Sequence, residues 1–188
     1  MKEKEKMLSG NFYEHRDKEL TNERNLAAEA TYYYNTTKES EAAARRSILE
    51  ALLGKVGDNV TVKTPFKLDY GYNIELGDNT FLNYGVTILD CNKVTIGKNV
   101  LIAPNVQIYT AKHPLDPDMR LMDKESALPI VIEDNVWIGG GAIILAGVTI
   151  GKNSVIGAGS VVTKSIPPNA IAVGNPCRVV KELVVDGI

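Results

Sequence analysis

Histidine, cysteine and tryptophan are scarce in this chain, with 2, 2 and 1 copies in 188 residues. Each shortage excludes something. Cys91 and Cys177 are too few for a disulfide framework, and no Cys-x-x-Cys occurs, so a disulfide-stapled scaffold and a paired-thiol redox motif both drop out. Two histidines, His15 and His113, cannot furnish a zinc centre built on three imidazoles, so no metal is expected. No apolar run approaches the roughly 18 residues that span a bilayer. The opening MKEKEK lacks the apolar core of a signal peptide. The formal net charge is -2, which gives nucleic acid no electrostatic footing. The expectation is a reduced, cytoplasmic protein with neither membrane nor nucleic acid as partner.

What is present divides into two regimes. Residues 1–55 are rich in Glu, Lys, Arg and Ala. Two helices are expected there, Asp17 to Asn35 and Ser40 to Leu53. In the second, Ile48, Leu49, Leu52 and Leu53 share one apolar face. Thr37 is the expected N-cap of that second helix and Gly54 its stop.

From Val56 the period becomes six. Ile132, Ile138, Ile144, Ile150, Ile156 and Val162 form an unbroken aliphatic series. Leu76, Leu82 and Ile88 form a second series, and Ile96, Ile102 and Ile108 a third, with two extra residues between Ile88 and Ile96. The tetrads VGDN (56–59), LGDN (76–79), IGKN (96–99), IEDN (132–135) and IGKN (150–153) recur on a longer period. Eighteen residues, or three hexads, make one triangular coil, with Gly or Asn at corners where the backbone needs freedom. Stacked coils bury a continuous core that no single repeat could bury alone. This is a mainly β protein, a parallel β-helix. The general preference for right-handed crossovers predicts a right-handed coil.

Residues 114–131 break the phase, with Pro114, Arg120 and Ser126 where aliphatics belong. Those residues are expected to leave the stack as an external loop, a length that usually serves function in a compact domain. His113 stands directly before it, in YTAKHPLDP (109–117).

Together these segments resemble the hexapeptide-repeat acyltransferases, and within them the maltose/galactoside O-acetyltransferase family, nearer its maltose branch. The resemblance is carried by Glu5-Lys6-Met7-Leu8-Ser9-Gly10, Phe12-Tyr13 and Asp17-Lys18-Glu19-Leu20. It continues in Asp69-Tyr70-Gly71-Tyr72-Asn73-Ile74, Asn83, Leu89-Asp90 and His113-Pro114-Leu115-Asp116-Pro117. Asn135-Val136-Trp137-Ile138-Gly139-Gly140-Gly141 and Gly174-Asn175-Pro176 complete it. It implies a left-handed coil, against the crossover rule, and a homotrimer that binds acetyl-CoA between subunits and acetylates a sugar hydroxyl. The implied organisation is an acceptor-covering helical segment (1–55), a β-helix (56–170) with its loop (114–131), and a tail with a short helix (171–188).

The resemblance makes His113 the general base, and histidine, with a pKa near 6.5, suits that task. Asn83 would bind the acceptor or steady the intermediate, and Glu125 would orient the imidazole. Oxyanion donors are expected among the N–H groups of Gly139, Gly140 and Gly141, with Gly140 favoured as an acetyl-CoA contact. Ala158 and Thr163 suit the pantetheine arm, and Lys164, Arg178 and Lys181 its phosphates. Asp17 and Asp69 would read sugar hydroxyls. Asp69 and Cys91 replace the serine and aspartate of the galactoside branch, which turns the expectation toward a maltose-like acceptor. Cys91 as a nucleophile is the competing idea. A buried cysteine is more often a small hydrophobe. The alternative functions are transfer to a non-sugar acceptor and a non-catalytic trimeric scaffold.

Overall fold

The computed structural model describes residues 1–184. The head holds α1 (Glu3–Leu8), a two-residue strand β1 (Tyr13–Glu14), α2 (Lys18–Thr36) and α3 (Ala42–Leu52). Asp17 caps α2, its carboxylate accepting the N–H groups of Glu19 and Leu20. Thr37 departs from expectation. It closes α2, its hydroxyl turned back to the Tyr33 carbonyl, while Glu41 stands at the start of α3. The helix before it continues to Thr36, so Thr37 is spent on the end of one helix rather than the start of the next.

The body is a stack of short strands on three faces. The first coil is β2 (Lys55–Val56), β3 (Thr61–Val62) and β4 (Lys67–Leu68). The second is β5 (Ile74–Leu76), β6 (Phe81–Leu82) and β7 (Thr87–Leu89). The third is β8 (Val94–Ile96), β9 (Leu101–Ile102) and β10 (Gln107–Tyr109). An excursion follows: β11 (Ala111–Lys112), α4 (Pro117–Leu121) and β12 (Lys124–Ala127). The fourth coil is β13 (Ile130–Ile132), β14 (Trp137–Ile138) and β15 (Ile143–Ile144). The fifth is β16 (Thr149–Ile150), β17 (Val155–Ile156) and β18 (Val161–Val162). β19 (Ala170–Val173) and β20 (Arg178–Glu182) finish the described chain.

All pairings between coils are parallel and in register, so the hexad aliphatics form ladders. Leu82, Ile102, Ile138 and Ile156 stack on one face. Leu76, Ile96, Ile132 and Ile150 stack on the second, and Ile88, Ile108, Ile144 and Val162 on the third. All twelve are at most 1% exposed, and each contributes roughly 1.5–3 kcal/mol through burial. The Asn that closes each tetrad has its own task. Asn59, Asn79, Asn99, Asn135 and Asn153 all adopt positive φ, a conformation Asn tolerates better than other residues with a Cβ. Their side-chain amides bond from coil to coil, Asn59 to Asn79 at 3.1 Å and Asn135 to Asn153 at 3.0 Å.

Both ends of the stack are covered, as an open β edge requires. Ala27, Tyr34, Leu49 and Leu52 of the head join the main core. Tyr34 and the buried Arg45 donate to the Val62 carbonyl of the first coil. At the other end, the tail corrects the expected short helix. β20 instead folds back antiparallel on β19, where its backbone satisfies an edge strand that would otherwise stay unpaired. Any helix at residues 185–188 would lie outside the described residues.

The loop is also more ordered than its broken phase suggests. β11 and β12 form an antiparallel pair, Lys112 opposite Ser126, and β1 adds to the far edge, Tyr13 opposite Glu125. The excursion opens at Ala111 rather than the expected 114, which puts His113 inside it, and it ends two residues before the expected 131, with the chain back on the stack at Ile130. Asn92, buried at a coil corner, pins this layer by donating to the Met7, Leu8 and Ala127 carbonyls. No helix among the described residues is long and apolar enough to cross a membrane.

Candidate active site

His113 follows β11 at the point where the backbone leaves the stack, and its side chain is 63% exposed. Pro114, next in the chain, is buried. The sharp exit therefore presents the imidazole while anchoring the turn behind it. Below it lies a cleft of about 400 Å³, lined by Ala111, Lys112, His113, Leu145, Ala146 and Thr163.

Glu125 on β12 turns toward the histidine. Its Oε1 lies 3.7 Å from His113 Nε2, an ion-pair separation somewhat longer than a hydrogen bond. Its Oε2 accepts from the Tyr13 hydroxyl at 2.9 Å. The same Oε1 is 3.9 Å from His15 Nδ1. Both histidines of the chain thus converge on one carboxylate, although 98 positions separate them. Among the described residues, no group of three His, Cys, Asp or Glu side chains is arranged to hold a metal ion.

Beside this pair is a buried cluster of polar side chains. Tyr13 is fully buried, and that burial pushes its phenol well above the ordinary range, with Cys91 and Glu125 adding to the effect. Burial also raises the Cys91 thiol, and the adjacent Asp69 carboxylate reinforces the shift. Asp69 itself is raised by burial, against the pull of Cys91 and Arg24. Arg24 of α2 donates to the Tyr70 hydroxyl and to the His15 carbonyl, each at 2.6 Å. Asp17, the cap of α2, uses only Oδ1 for the backbone, which leaves Oδ2 for another donor.

The remaining candidates divide by corner. Thr163 lines the His113 cleft, and Lys164 follows it. Asn83, Gly140 and Ala158 sit at a different corner, where β6, β14 and β17 end. There Asn83 N donates to Ile102 O, and Gly159 N donates to Gly140 O at 2.9 Å. Of the three glycines, Gly139 donates to Ile156 O and Gly141 to Pro104 O. Among the described residues, the Gly140 N–H meets no backbone or side-chain acceptor. Arg178 and Lys181 are exposed on β20, beside Val173 and Ile171. One chain therefore does not bring Asn83, Gly140, Ala158, Arg178 or Lys181 to the cleft that holds His113 and Thr163.

Sequence reasoning passed over Tyr13, His15 and Arg24. The Phe12-Tyr13 segment marked the neighbourhood, but only the pairing of β1 with β12 gives those side chains a place at the site.

Two family models match this chain. One is the maltose acetyltransferase hexapeptide capping motif, over residues 6–57, and the other the bacterial transferase hexapeptide (six repeats), over 129–164. Galactoside O-acetyltransferase of Escherichia coli K12 is 47% identical over 152 residues, 81% of this chain and 75% of that protein. A maltose O-acetyltransferase from Clostridium difficile 630 superposes with a TM-score of 0.96 at 54% identity, covering 98% of both chains. A hexapeptide-repeat-containing acetyltransferase of Vibrio cholerae, solved with acetyl coenzyme A, superposes at 0.91 with 40% identity, over 98% of this chain and all of that one. A β-helix of hexads with a helical cap defines the class of the protein, an acetyltransferase of the hexapeptide-repeat kind. Within that class, the chain belongs to the maltose/galactoside O-acetyltransferase family of sugar-acetylating enzymes.

Proposed function

We propose that this protein transfers the acetyl group of acetyl-CoA to a hydroxyl of a maltose- or glucose-like sugar, with His113 as general base. The observation that carries the reading is the exposed imidazole paired with a recessed carboxylate, His113 Nε2 to Glu125 Oε1, at the mouth of a cleft. An alcohol is a poor nucleophile near neutral pH, and a positioned base is worth about 10²–10⁴-fold in rate. With Nε2 turned to Glu125, Nδ1 takes the hydroxyl proton as the sugar oxygen adds to the thioester carbonyl. The C–S bond then breaks. Coenzyme A leaves as thiolate and takes up the proton held by the imidazolium, with no acyl-enzyme on the way.

The Gly140 N–H suits the developing oxyanion, because it is not committed to the coil, and donors aimed at that charge are among the strongest catalytic devices. Asn83 shares its corner. A single ligand meets these groups and His113 together only if a second copy sets its corner against the first copy's cleft. A homotrimer with cofactor between neighbours meets that need. Thr163 and Lys164 then come from the copy that supplies His113, and Gly140, Ala158, Arg178 and Lys181 from its neighbour. Asp69 and the free oxygen of Asp17 read sugar hydroxyls, with Glu125 holding the base. The acetyl-CoA supply places the enzyme in the cytoplasm.

The test is acetyl-CoA-dependent thiol release with glucose, maltose and a β-galactoside, for the wild type and His113→Ala. Turnover on a glucosyl sugar, reduced by about 10²-fold or more in the variant, is expected. Acetyl-CoA binding without turnover on any sugar would redirect the reading to a non-sugar acceptor. Failure to bind acetyl-CoA would leave a trimeric scaffold.

A further inference from the structure

We infer that the N-terminal strand β1 is part of the catalytic apparatus, with Tyr13 and His15 as positioning residues that act on His113 through Glu125. The inference rests on the general-base reading above and adds to it the groups that hold the base in place.

Three groups contact one carboxylate. The Tyr13 hydroxyl donates to Oε2 at 2.9 Å, and His113 Nε2 and His15 Nδ1 approach Oε1 at 3.7 and 3.9 Å. A carboxylate on a surface hairpin would ordinarily rotate freely in water, yet the Glu125 side chain is only 14% exposed. The strand that covers it is tied down independently. Tyr13 and Glu14 pair with Glu125 and Lys124, Lys124 Nζ meets Glu14 Oε1 at 2.8 Å, and Arg24 holds the His15 carbonyl. The imidazole of His15 also lies 3.3 Å from the Asp123 carbonyl. Tyr13 itself is fully buried in a small second core with Met7, Leu20, Tyr70, Cys91 and Ala127, separate from the core of the β-helix.

The two roles differ. Tyr13 fixes the rotamer of Glu125, and because burial keeps its phenol protonated, it donates at every working pH. His15 shares an oxygen with the base. Its imidazole, held at the Asp123 carbonyl, limits where that oxygen can turn. The other charged or ionisable groups around this cluster are Asp69 and Cys91 from the coil corners, Arg24 of α2 at the His15 carbonyl, and Lys124 and Asp123 of the hairpin. Among the described residues, none of these takes the place of His15 or Tyr13 on the Glu125 carboxylate.

The experiment is steady-state acetyl transfer at one pH, with kcat and the KM for acetyl-CoA measured separately. It compares wild type, Tyr13→Phe, His15→Gln and His113→Ala, with thermal melting of each. Tyr13→Phe is expected to lower kcat about 10-fold while the KM for acetyl-CoA holds. His15→Gln is expected to lower kcat about threefold with the KM for acetyl-CoA and the melting temperature unchanged, a split that a purely structural residue would not show. Should Tyr13→Phe melt early, the kcat of His15→Gln decides. Wild-type kcat in both variants, with His113→Ala inactive, would overturn this inference and leave the base in place. An active His113→Ala would overturn both.

Discussion

The Cys91 thiol donates to Asp69 Oδ2 across 3.5 Å, joining two successive corners of the stack. The contact decides the competing chemistry at this site. The thiolate is the nucleophilic form of cysteine, and burial together with the neighbouring carboxylate holds this thiol above its ordinary range. Replacement of Cys91 by Ala is therefore expected to leave kcat within an order of magnitude of wild type. Iodoacetamide at pH 7 should leave the folded enzyme active, with rapid inactivation as the result that would restore a covalent mechanism.

Asp69 is the other half of that contact. On the proposed reading, in which Asp69 binds the acceptor, its loss should appear in sugar binding. Asp69→Asn is expected to raise the KM for the sugar roughly tenfold, the scale of one hydrogen bond to a charged group. The KM for acetyl-CoA should not move. Steady-state kinetics varying each substrate in turn separates the two.

Gly139 and Gly140 are neighbours with different reasons to be glycine. A Cβ on Gly139 would lie 2.5 Å from Ala158 N and 2.8 Å from Ile156 O, both backbone atoms of the next coil. Gly139→Ala is expected to lower the melting temperature markedly, since the coils would have to separate. A Cβ on Gly140 meets only Pro104 O, at 3.3 Å. Gly140→Ala should fold nearly as well and instead raise the KM for acetyl-CoA, which thermal melting and kinetics on the same pair would reveal.

Asp90 gives a pH dependence with a definite sign. It is fully buried, and burial raises its carboxyl to about 6 although the N–H groups of Asp69, Tyr70 and Gly71 pull the other way. The folded state therefore holds its proton more tightly than the unfolded chain does. The stability this contributes is complete below the ordinary aspartate range and is lost as pH rises through about 6. Asp90→Asn, which cannot ionise, should gain relative to wild type as pH climbs from 4 to 7. Urea unfolding at those two pH values checks it, and a variant that loses ground to wild type as pH rises would contradict it.

The body was legible because its signal is local and repeated. Each hexad aliphatic points inward for the same steric reason, and each closing Asn takes the same left-handed turn. The break in phase at Pro114 likewise located the excursion to within three residues of its start at Ala111, and with it the exposed setting of His113. The ends were harder to read. Thr37 looked like an N-cap because Ser, Thr, Asp and Asn start helices, yet the preceding helix reached it first. The tail, expected as a short helix, runs instead as a strand, because β19 offers its Arg-Val-Val-Lys-Glu run an edge to pair with.

The sequence by itself determined that hexads would coil and stack, where the stack would be interrupted, and which histidine would stand at the interruption. Only the tertiary structure decided which side chains stand around that histidine. Glu125 is 12 residues from His113 along the chain, but Tyr13 and His15 are about a hundred. The reason is physical. Periodicity reports which way a side chain faces within its own coil. The meeting of β1 with β12 depends on an edge that exists only after the hairpin has folded away from the stack.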